Sequence, residues 1–166
     1  MSAADVNTLI AQLSSSDASR QAAAAEALAH LGGDAQPAAA ALVRACGNAD
    51  SAVRDNSVAA LEDLGPPPPG QIADLIQLSR DSSTDVAYWA ITLLGRGGEQ
   101  AVSSVPTLAQ LLCSEADIAV RERAAWALGK IGPPAAAARP ALRQAAASDS
   151  PRLSRLAKNA LEALDG

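Results

Sequence analysis

Apolar and polar positions alternate along the chain with the period of an amphipathic helix, and the same pattern returns about every 33 residues. Five segments align without internal gaps: residues 17–32, 50–65, 83–98, 117–132 and 150–165. In each segment the positions 3, 7, 11 and 14 after the first are mostly Val, Leu, Ile or Ala, which traces one face of a helix. A fixed period of this length predicts a repeat architecture more firmly than local propensity does.

The two ends of these segments carry helix signals. The first position is always Asp or Ser, whose side chain accepts a hydrogen bond from the free amides of a first helical turn. Glycine closes the first four segments, where a helix often ends in a left-handed residue. Each segment is therefore predicted to be one helix. The N-caps are Asp17, Asp50, Ser83, Asp117 and Ser150, and the closing glycines are Gly32, Gly65, Gly98 and Gly132.

A second helix is predicted in each unit, after a turn rich in proline and glycine. Leucines one period apart anchor it: Leu42, Leu75, Leu108 and Leu142, with Leu9 one period earlier. A hairpin with an apolar face on each helix cannot bury both faces alone, so successive hairpins stack and share one core. We therefore expect an all-α protein, a single-domain right-handed α-solenoid. Four full repeats (17–49, 50–82, 83–116 and 117–149) lie between two half repeats (5–16 and 150–166).

Composition and charge agree with this fold and exclude several functions. Alanine fills 41 of 166 positions and aromatic residues only 2%, which favours helices over a sheet core. The net charge of -5 argues against nucleic acid and against anionic membranes as partners. No apolar stretch approaches the roughly 20 residues that cross a bilayer, and no export signal opens the chain, so we expect a cytoplasmic protein. The two cysteines predict neither disulfide nor metal site, with Cys46 in the core and Cys113 nearer the surface.

One segment resembles a known repeat. Residues 117–132 read DIAVRERAAWALGKIG, and the pattern D-x-x-V-R-x-x-A-A-x-A-L-G-x-I-G is similar to the short HEAT-type repeat of phycobilisome-lyase-like proteins. The resemblance covers the chain from Val6 to Leu164. It implies a HEAT-like solenoid that acts as a protein-binding scaffold or adaptor. Some proteins with this repeat are subunits of lyases that attach or detach bilin chromophores, and distant helical-repeat relatives are DNA glycosylases.

The resemblance also implies a ladder of ion pairs between successive units. In such a ladder Arg54 and Arg121 bind aspartates, and Asp50 and Asp117 are the obvious acceptors.

The second helices of such solenoids line the inner surface, and a helical wheel indicates which of their side chains point away from the core. These are short or amide-bearing polar side chains, which suit an extended peptide or a partner helix better than a phosphate backbone. An ordinary solvated face is the alternative. The candidate inner columns contain Arg44, Asn48, Asp74, Gln77, Asp81, Thr107, Gln110 and Gln144.

A second candidate surface, here called the outer patch, comprises Tyr88, Trp89, Arg123 and Trp126 on the first helices of the third and fourth units. The wheel predicts rings that are partly exposed, and Trp and Tyr are favoured anchors of protein interfaces. Arg123 occupies the position of Trp89 one unit later, so we expect it to stack on that indole. The alternative is that the rings only cover seams between neighbouring units.

No catalytic constellation emerges. His30 is the only histidine and stands near a helix end, where it complements the helix dipole. Gly95-Arg96-Gly97-Gly98 looks like a phosphate loop, but it aligns with the helix terminus at residues 129–132.

These patterns predict a non-enzymatic interaction module without cofactor or metal, whose protein partner the sequence does not name. A homodimer through the apolar N-terminal helix or the outer patch stays open. A subunit of a bilin lyase or related modifying complex is the alternative, and a deep apolar pocket would favour it. A DNA-repair solenoid would need a basic inner surface, which the inner columns do not provide.

Overall fold

The computed structural model describes residues 3–166, and this part of the chain forms ten α-helices and no strand. The predicted all-α solenoid is therefore confirmed. The helices are α1 (Ala3–Leu13), α2 (Ala18–Leu31), α3 (Ala39–Ala45), α4 (Ser51–Glu62), α5 (Ile72–Leu78), α6 (Thr84–Arg96), α7 (Val105–Leu112), α8 (Ile118–Ile131), α9 (Arg139–Ala146) and α10 (Pro151–Ala163).

The helix ends follow the sequence signals. All five predicted N-caps accept a hydrogen bond from an amide of the first turn; Asp17 accepts two, from Ser19 and Arg20. The four predicted closing glycines have φ between 50° and 77°, a backbone region that favours glycine because it has no Cβ.

The connections inside each unit are more regular than the sequence predicts. Each contains a 3₁₀ helix, over Gly32–Ala38, Pro69–Gln71, Gly98–Ser104 and Pro133–Ala138. The following second helices are consequently short, with seven or eight residues each.

The helices form two layers. The first helices α2, α4, α6, α8 and α10 lie side by side in one layer, and the second helices α1, α3, α5, α7 and α9 lie in the other. Each second helix also packs against the first helix of the next unit: α1 with α2, α3 with α4, α5 with α6, α7 with α8 and α9 with α10. The core lies between the layers. Its anchoring leucines, Leu42, Leu75, Leu108 and Leu142, are fully buried.

A side chain four positions after the N-cap ties most first helices to the end of the preceding second helix. Arg54 Nη1 donates to the carbonyls of Asn48 and Ala49, each at 2.8 Å. Arg121 Nε donates to the carbonyl of Leu112 at 3.1 Å. Asn48 and Ala49 lie in the turn after α3, whereas Leu112 is the last residue of α7. A donor at Leu112 stabilises the helix end because the last carbonyls have no partner within the helix. Gln21 and Ser154 make the same kind of contact, whereas the third unit has Ala87 at this position.

The ladder of ion pairs implied by the resemblance is wrong for this chain. Neither Arg54 nor Arg121 pairs with a carboxylate within residues 3–166. Asp50 and Asp117 instead accept from the amides of their own helices. These carboxylates are engaged as N-caps, and the arginines find free carbonyls closer at hand.

Neighbouring first helices pack closely at three joints and stay apart at the fourth, between α4 and α6. Small residues explain the close joints. A Cβ on Gly95 of α6 would lie 3.0 Å from Cα of Ala127 on α8, and one on Gly129 of α8 would lie 3.1 Å from Cα of Ala160 on α10. At the fourth joint the corresponding positions hold Glu62 and Leu93, whose side chains prevent such an approach.

Both cysteines are free, and their placement is as expected, with Cys46 buried and Cys113 exposed. Cys46 is buried, and this burial, with a contribution from the negative charge of Asp85, raises the pKa of its thiol to about 12. The thiol therefore stays protonated and unreactive at neutral pH. Cys113 is exposed.

Within residues 3–166 no helix has both the length and the apolar character that crossing a bilayer requires.

Candidate protein-binding surface

The outer patch forms a continuous stack of rings and cations across α6 and α8. Tyr88 and Trp89 meet edge to face, with ring centroids 5.9 Å apart and planes at 84°. The Arg123 guanidinium lies 4.2 Å from the ring centroid of Tyr88 and 4.9 Å from that of Trp126. Lys130 Nζ lies 5.9 Å from the ring centroid of Trp126. The structure therefore brings together all four residues that the sequence assigned to this patch.

The expected stacking of Arg123 on Trp89 is wrong. Arg123 contacts Tyr88 and Trp126, and the cation over Trp89 is Arg96 at 5.9 Å. The reason is the direction in which each helix position faces. Position 5 after the N-cap faces the next first helix, so Tyr88 meets α8. Position 6 faces the preceding one, so Arg123 reaches back to α6 and Trp89 lies on the side of α4.

The three rings also fill seams, as the alternative interpretation held. Trp126 lies against Gly95, where a Cβ would be 2.5 Å from Cζ3 of the indole. Arg96, beside Trp89, donates to the carbonyl of Leu61 on α4 at 2.6 Å. Tyr88, Trp89 and Trp126 are partly buried by these contacts, and the smaller part of each side-chain surface faces solvent. Seam filling and surface exposure therefore coexist in the same side chains.

Some charged side chains at the outer patch have an ion-pair partner in the described part of the chain and others have none. Arg152 pairs with Glu122, Nε to Oε2 at 3.2 Å, and the Glu122 side chain is 12% exposed. Within residues 3–166, Arg123 makes no hydrogen bond and no ion pair. Its desolvation, and next the positive charge of Arg152, lower the pKa of the Arg123 guanidinium. Arg123 thus presents free N–H donors at a half-buried, locally positive position.

Three shallow clefts meet at Trp126. The first, of about 160 Å³, is bounded by Tyr88, Arg123 and Arg152. The second, of about 290 Å³, runs along Gly129 and Leu156 between α8 and α10. The third, of about 420 Å³, lies over Gly95 toward α4. All three open to solvent, which suits side chains of a partner rather than an enclosed small molecule.

Most side chains of the inner columns are exposed, and several form ion pairs or hydrogen bonds with side chains of the neighbouring unit. Arg44 pairs with Asp74 at 3.7 Å. Arg80 Nη2 donates to Oγ1 of Thr107 at 2.8 Å and to Oε1 of Gln110 at 3.2 Å. The expectation that Thr107 points outward is wrong: it is 5% exposed because Arg80 covers it.

Other members of the inner columns lie on the exposed helix surface or in turns. The Cys113 thiol lies 3.4 Å from Oε1 of Gln144, and Gln77 is exposed. Asn48 and Asp81 lie in the turns that follow α3 and α5, where each accepts from an amide two residues on. These two side chains order their turns, and Asp81 also lines an open cleft of about 280 Å³ beside Arg80 and Thr84.

The remaining candidates from the sequence are His30 and the glycine-rich residues 95–98. His30 is exposed, with Nδ1 2.8 Å from the carbonyl oxygen of Glu26. Residues 95–98 form the end of α6 and the start of the next 3₁₀ helix, as the alignment predicted. Within the described part of the chain, no group of three or more His, Cys, Asp or Glu side chains could hold a metal ion.

The HEAT repeat family profile matches residues 72–164, which is more than half of the chain. The chain belongs to the HEAT repeat family. Among curated proteins no significant match to the sequence is found.

Solved structures of other helical repeat proteins have the same fold. An engineered protein is 24% identical over 96% of this chain and 79% of its own, with a TM-score of 0.67. A designed armadillo repeat protein in complex with the peptide (KR)4 is 20% identical over 97% and 82%, with a TM-score of 0.64. A chain of the CpcE and CpcF complex of phycocyanin lyase from Nostoc sp. PCC7120 is 24% identical over 96% and 64%, with a TM-score of 0.68. At these identities the likeness concerns the fold alone.

Sequence reasoning missed six residues of this HEAT repeat surface. Arg96 and Lys130 are the cations near the rings of Trp89 and Trp126. Glu122 and Arg152 form the ion pair beside Arg123, and Leu156 lines two of the clefts. Gly95 makes room for the Trp126 ring. The only sequence signal was the glycine shared by the third and fourth units at position 12, because the other contacts depend on which neighbour each helix position faces.

Proposed function

We propose that this protein is a non-enzymatic HEAT repeat scaffold that binds a protein partner through the outer patch. The observation that carries the proposal is the half-buried Arg123 guanidinium, held between two partly exposed aromatic rings without any bonded acceptor. Tyr, Trp and Arg dominate the binding energy of protein interfaces. A monomer gains little from leaving such rings exposed.

The inner columns fit this role less well. Arg44 is bonded to Asp74 and Arg80 to Gln110 across unit boundaries. A partner would have to break these contacts or bind over them, whereas the outer patch offers unused donors and open apolar surface. The fold itself fits protein binding, since the designed armadillo repeat protein was solved with a bound peptide.

A displayed library of random 16-residue peptides tests the proposal. Three proteins are compared: the natural chain, a patch variant with Trp89→Ala and Trp126→Ala, and a control with Gln77→Ala and Gln144→Ala on the other layer. We expect peptides that bind the natural chain and the control at least about tenfold more tightly than the patch variant, as for lost hot-spot residues. Circular dichroism checks that the patch variant is folded, and the single variant Arg123→Gln replaces it if it is not. Peptides that bind all three proteins equally, or no selected peptides at all, would contradict the proposal.

A bilin-lyase subunit is the second candidate, and the likeness in fold to the phycocyanin lyase chain favours it. A chromophore would need a deep apolar pocket, and the three clefts at Trp126 are open and partly polar. Titration with a free bilin decides this point. A change in its absorbance that the Trp126→Ala variant abolishes would replace the scaffold with the lyase subunit.

A further inference from the structure

Charge is distributed unevenly along the solenoid. Residues 1–82 carry four Lys or Arg and ten Asp or Glu, and residues 83–166 carry nine and eight. The acidic excess therefore belongs to the first half of the chain, and the outer patch lies in the second half.

The same contrast appears within the layer of first helices. Around the outer patch stand the cations Arg96, Arg123, Lys130 and Arg152. The carboxylate in this cleft, Glu122, is already paired with Arg152. On α2 and α4 the exposed charges include Glu26, Asp55 and Glu62.

We infer that the cleft between Tyr88, Arg123, Trp126 and Arg152 binds a carboxylate side chain of an acidic peptide segment in the protein partner. This inference rests on the proposed function and names the chemistry of the partner. An apolar side chain next to the carboxylate lies in the cleft along Leu156 and Gly129, on the other side of the Trp126 ring.

Arg123 is prepared for this role by its two aromatic neighbours. The rings of Tyr88 and Trp126 restrict the guanidinium, so little side-chain entropy remains to be lost on binding. A guanidinium matches a carboxylate with two parallel hydrogen bonds, and charge-assisted bonds of this kind are the strong ones. Burial and the charge of Arg152 already disfavour the unpaired cation, and an anion relieves both costs.

A short acidic segment fits this site better than a long polyanion does. Only a few cations surround the cleft, and the acidic surface of α2 and α4 begins one joint away. A nucleic acid chain that follows the layer of first helices would meet Asp55 and Asp85 in the cleft beside Tyr88 and Trp89, and then Glu62 on α4. A peptide with a few carboxylates stays within the positive region.

The test uses synthetic 12-residue fluorescent peptides that share one apolar framework with a central Trp. Their variable positions carry Asp and Glu, Asn and Gln, Lys, or phosphoserine. Fluorescence anisotropy measures their binding to the natural chain, to Arg123→Gln and to Arg143→Gln, which removes an exposed cation from α9 in the other layer. We expect the acidic peptides to bind best, Arg123→Gln to weaken them about tenfold or more, and Arg143→Gln to leave them unchanged. Added salt should weaken binding, because part of the attraction is between solvent-exposed charges.

Four other outcomes would each contradict the proposed carboxylate site. If amide and acidic peptides bind equally and Trp126→Ala abolishes both, the outer patch is a docking surface and the carboxylate site is wrong. If only phosphoserine peptides bind, the ligand is a phosphate and not a carboxylate. If Arg143→Gln weakens binding as much as Arg123→Gln does, the attraction is diffuse and no site exists. If light scattering shows a dimer that Arg123→Gln dissociates, the occupant is a second copy of this chain.

Discussion

At the residue scale, the position of a residue within the repeat explains whether its side chain is buried. A residue that departs from the pattern of its column can make an unfavourable contact. The core column seven positions after each N-cap contains Ala24, Ser57, Ala90, Ala124 and Ala157, all fully buried. The Ser57 hydroxyl is the only buried side-chain N or O without a hydrogen-bond partner within residues 3–166. An unpaired buried hydroxyl costs free energy, because it has lost its bonds to water.

Replacing this serine with the residue found elsewhere in its column should stabilise the protein. We expect Ser57→Ala to raise the free energy of unfolding by about 1 kcal/mol, since it removes an unpaired polar group and improves helix propensity. Urea denaturation followed by circular dichroism measures the change. The matched control is Ser79→Ala, because the equally buried Ser79 hydroxyl donates to the carbonyl of Ile76 at 2.8 Å. A loss of stability in Ser57→Ala would show that the hydroxyl has a partner in solution.

At the scale of elements, the distance between first helices depends on two positions per joint. Small residues at positions 10 and 12 let the backbones approach, and large ones keep them apart. Gly95 has two functions here, because it lets α6 approach α8 and it seats the Trp126 ring. The geometry of the outer patch therefore depends on a residue that carries no functional group.

A methyl group at Gly95 should disturb both the joint and the patch. Gly95→Ala gains helix propensity, but its Cβ would lie 2.5 Å from the Trp126 ring and 3.0 Å from the Ala127 backbone. We expect a net loss of about 1–3 kcal/mol in unfolding free energy, as for overpacked cores, and a red shift of tryptophan fluorescence as the ring moves outward. Gly70→Ala is the control, since a Cβ there meets no atom within 4 Å. Equal stability of the two variants would mean that the joint yields without cost.

At the scale of the whole molecule, the solenoid consists of two parts joined at α4 and α6. The backbones of these two helices do not pack closely, and α6 contacts the first part mainly through α5 and α3. The stability of a repeat protein is approximately a sum over units and their interfaces. The joint between the acidic first half and the more basic second half is therefore the weakest link for cooperative unfolding.

Truncating the leucine at this joint should separate the unfolding of the two parts. Leu93 is fully buried and occupies the position of Ala127 and Ala160 at the close joints. Leu93→Ala and the control Leu128→Ala, in the fully buried stripe of α8, should each cost about 2–5 kcal/mol. Only Leu93→Ala should produce two transitions, with amides of α1–α5 and α6–α10 exchanging at different rates. Hydrogen exchange measured by mass spectrometry checks this, and a single coincident transition in both variants would contradict a weak joint.

The sequence by itself determined the local and periodic features of this protein. N-caps, closing glycines, the buried leucine columns and the solenoid follow from it, because each depends on residues within one helix or one period. The composition of the outer patch could also be predicted, since a helical wheel shows which side chains leave the core.

Only the tertiary structure decided which neighbour each outward side chain meets. The pairing of Arg123 with Tyr88 and Trp126, the cover that Arg80 places over Thr107 and the arginine contacts to carbonyls of the preceding unit all depend on the spacing and direction of adjacent helices. That spacing varies from joint to joint with the side chains packed there. A one-dimensional period describes every unit as equivalent, whereas these particular contacts involve positions at which the units differ.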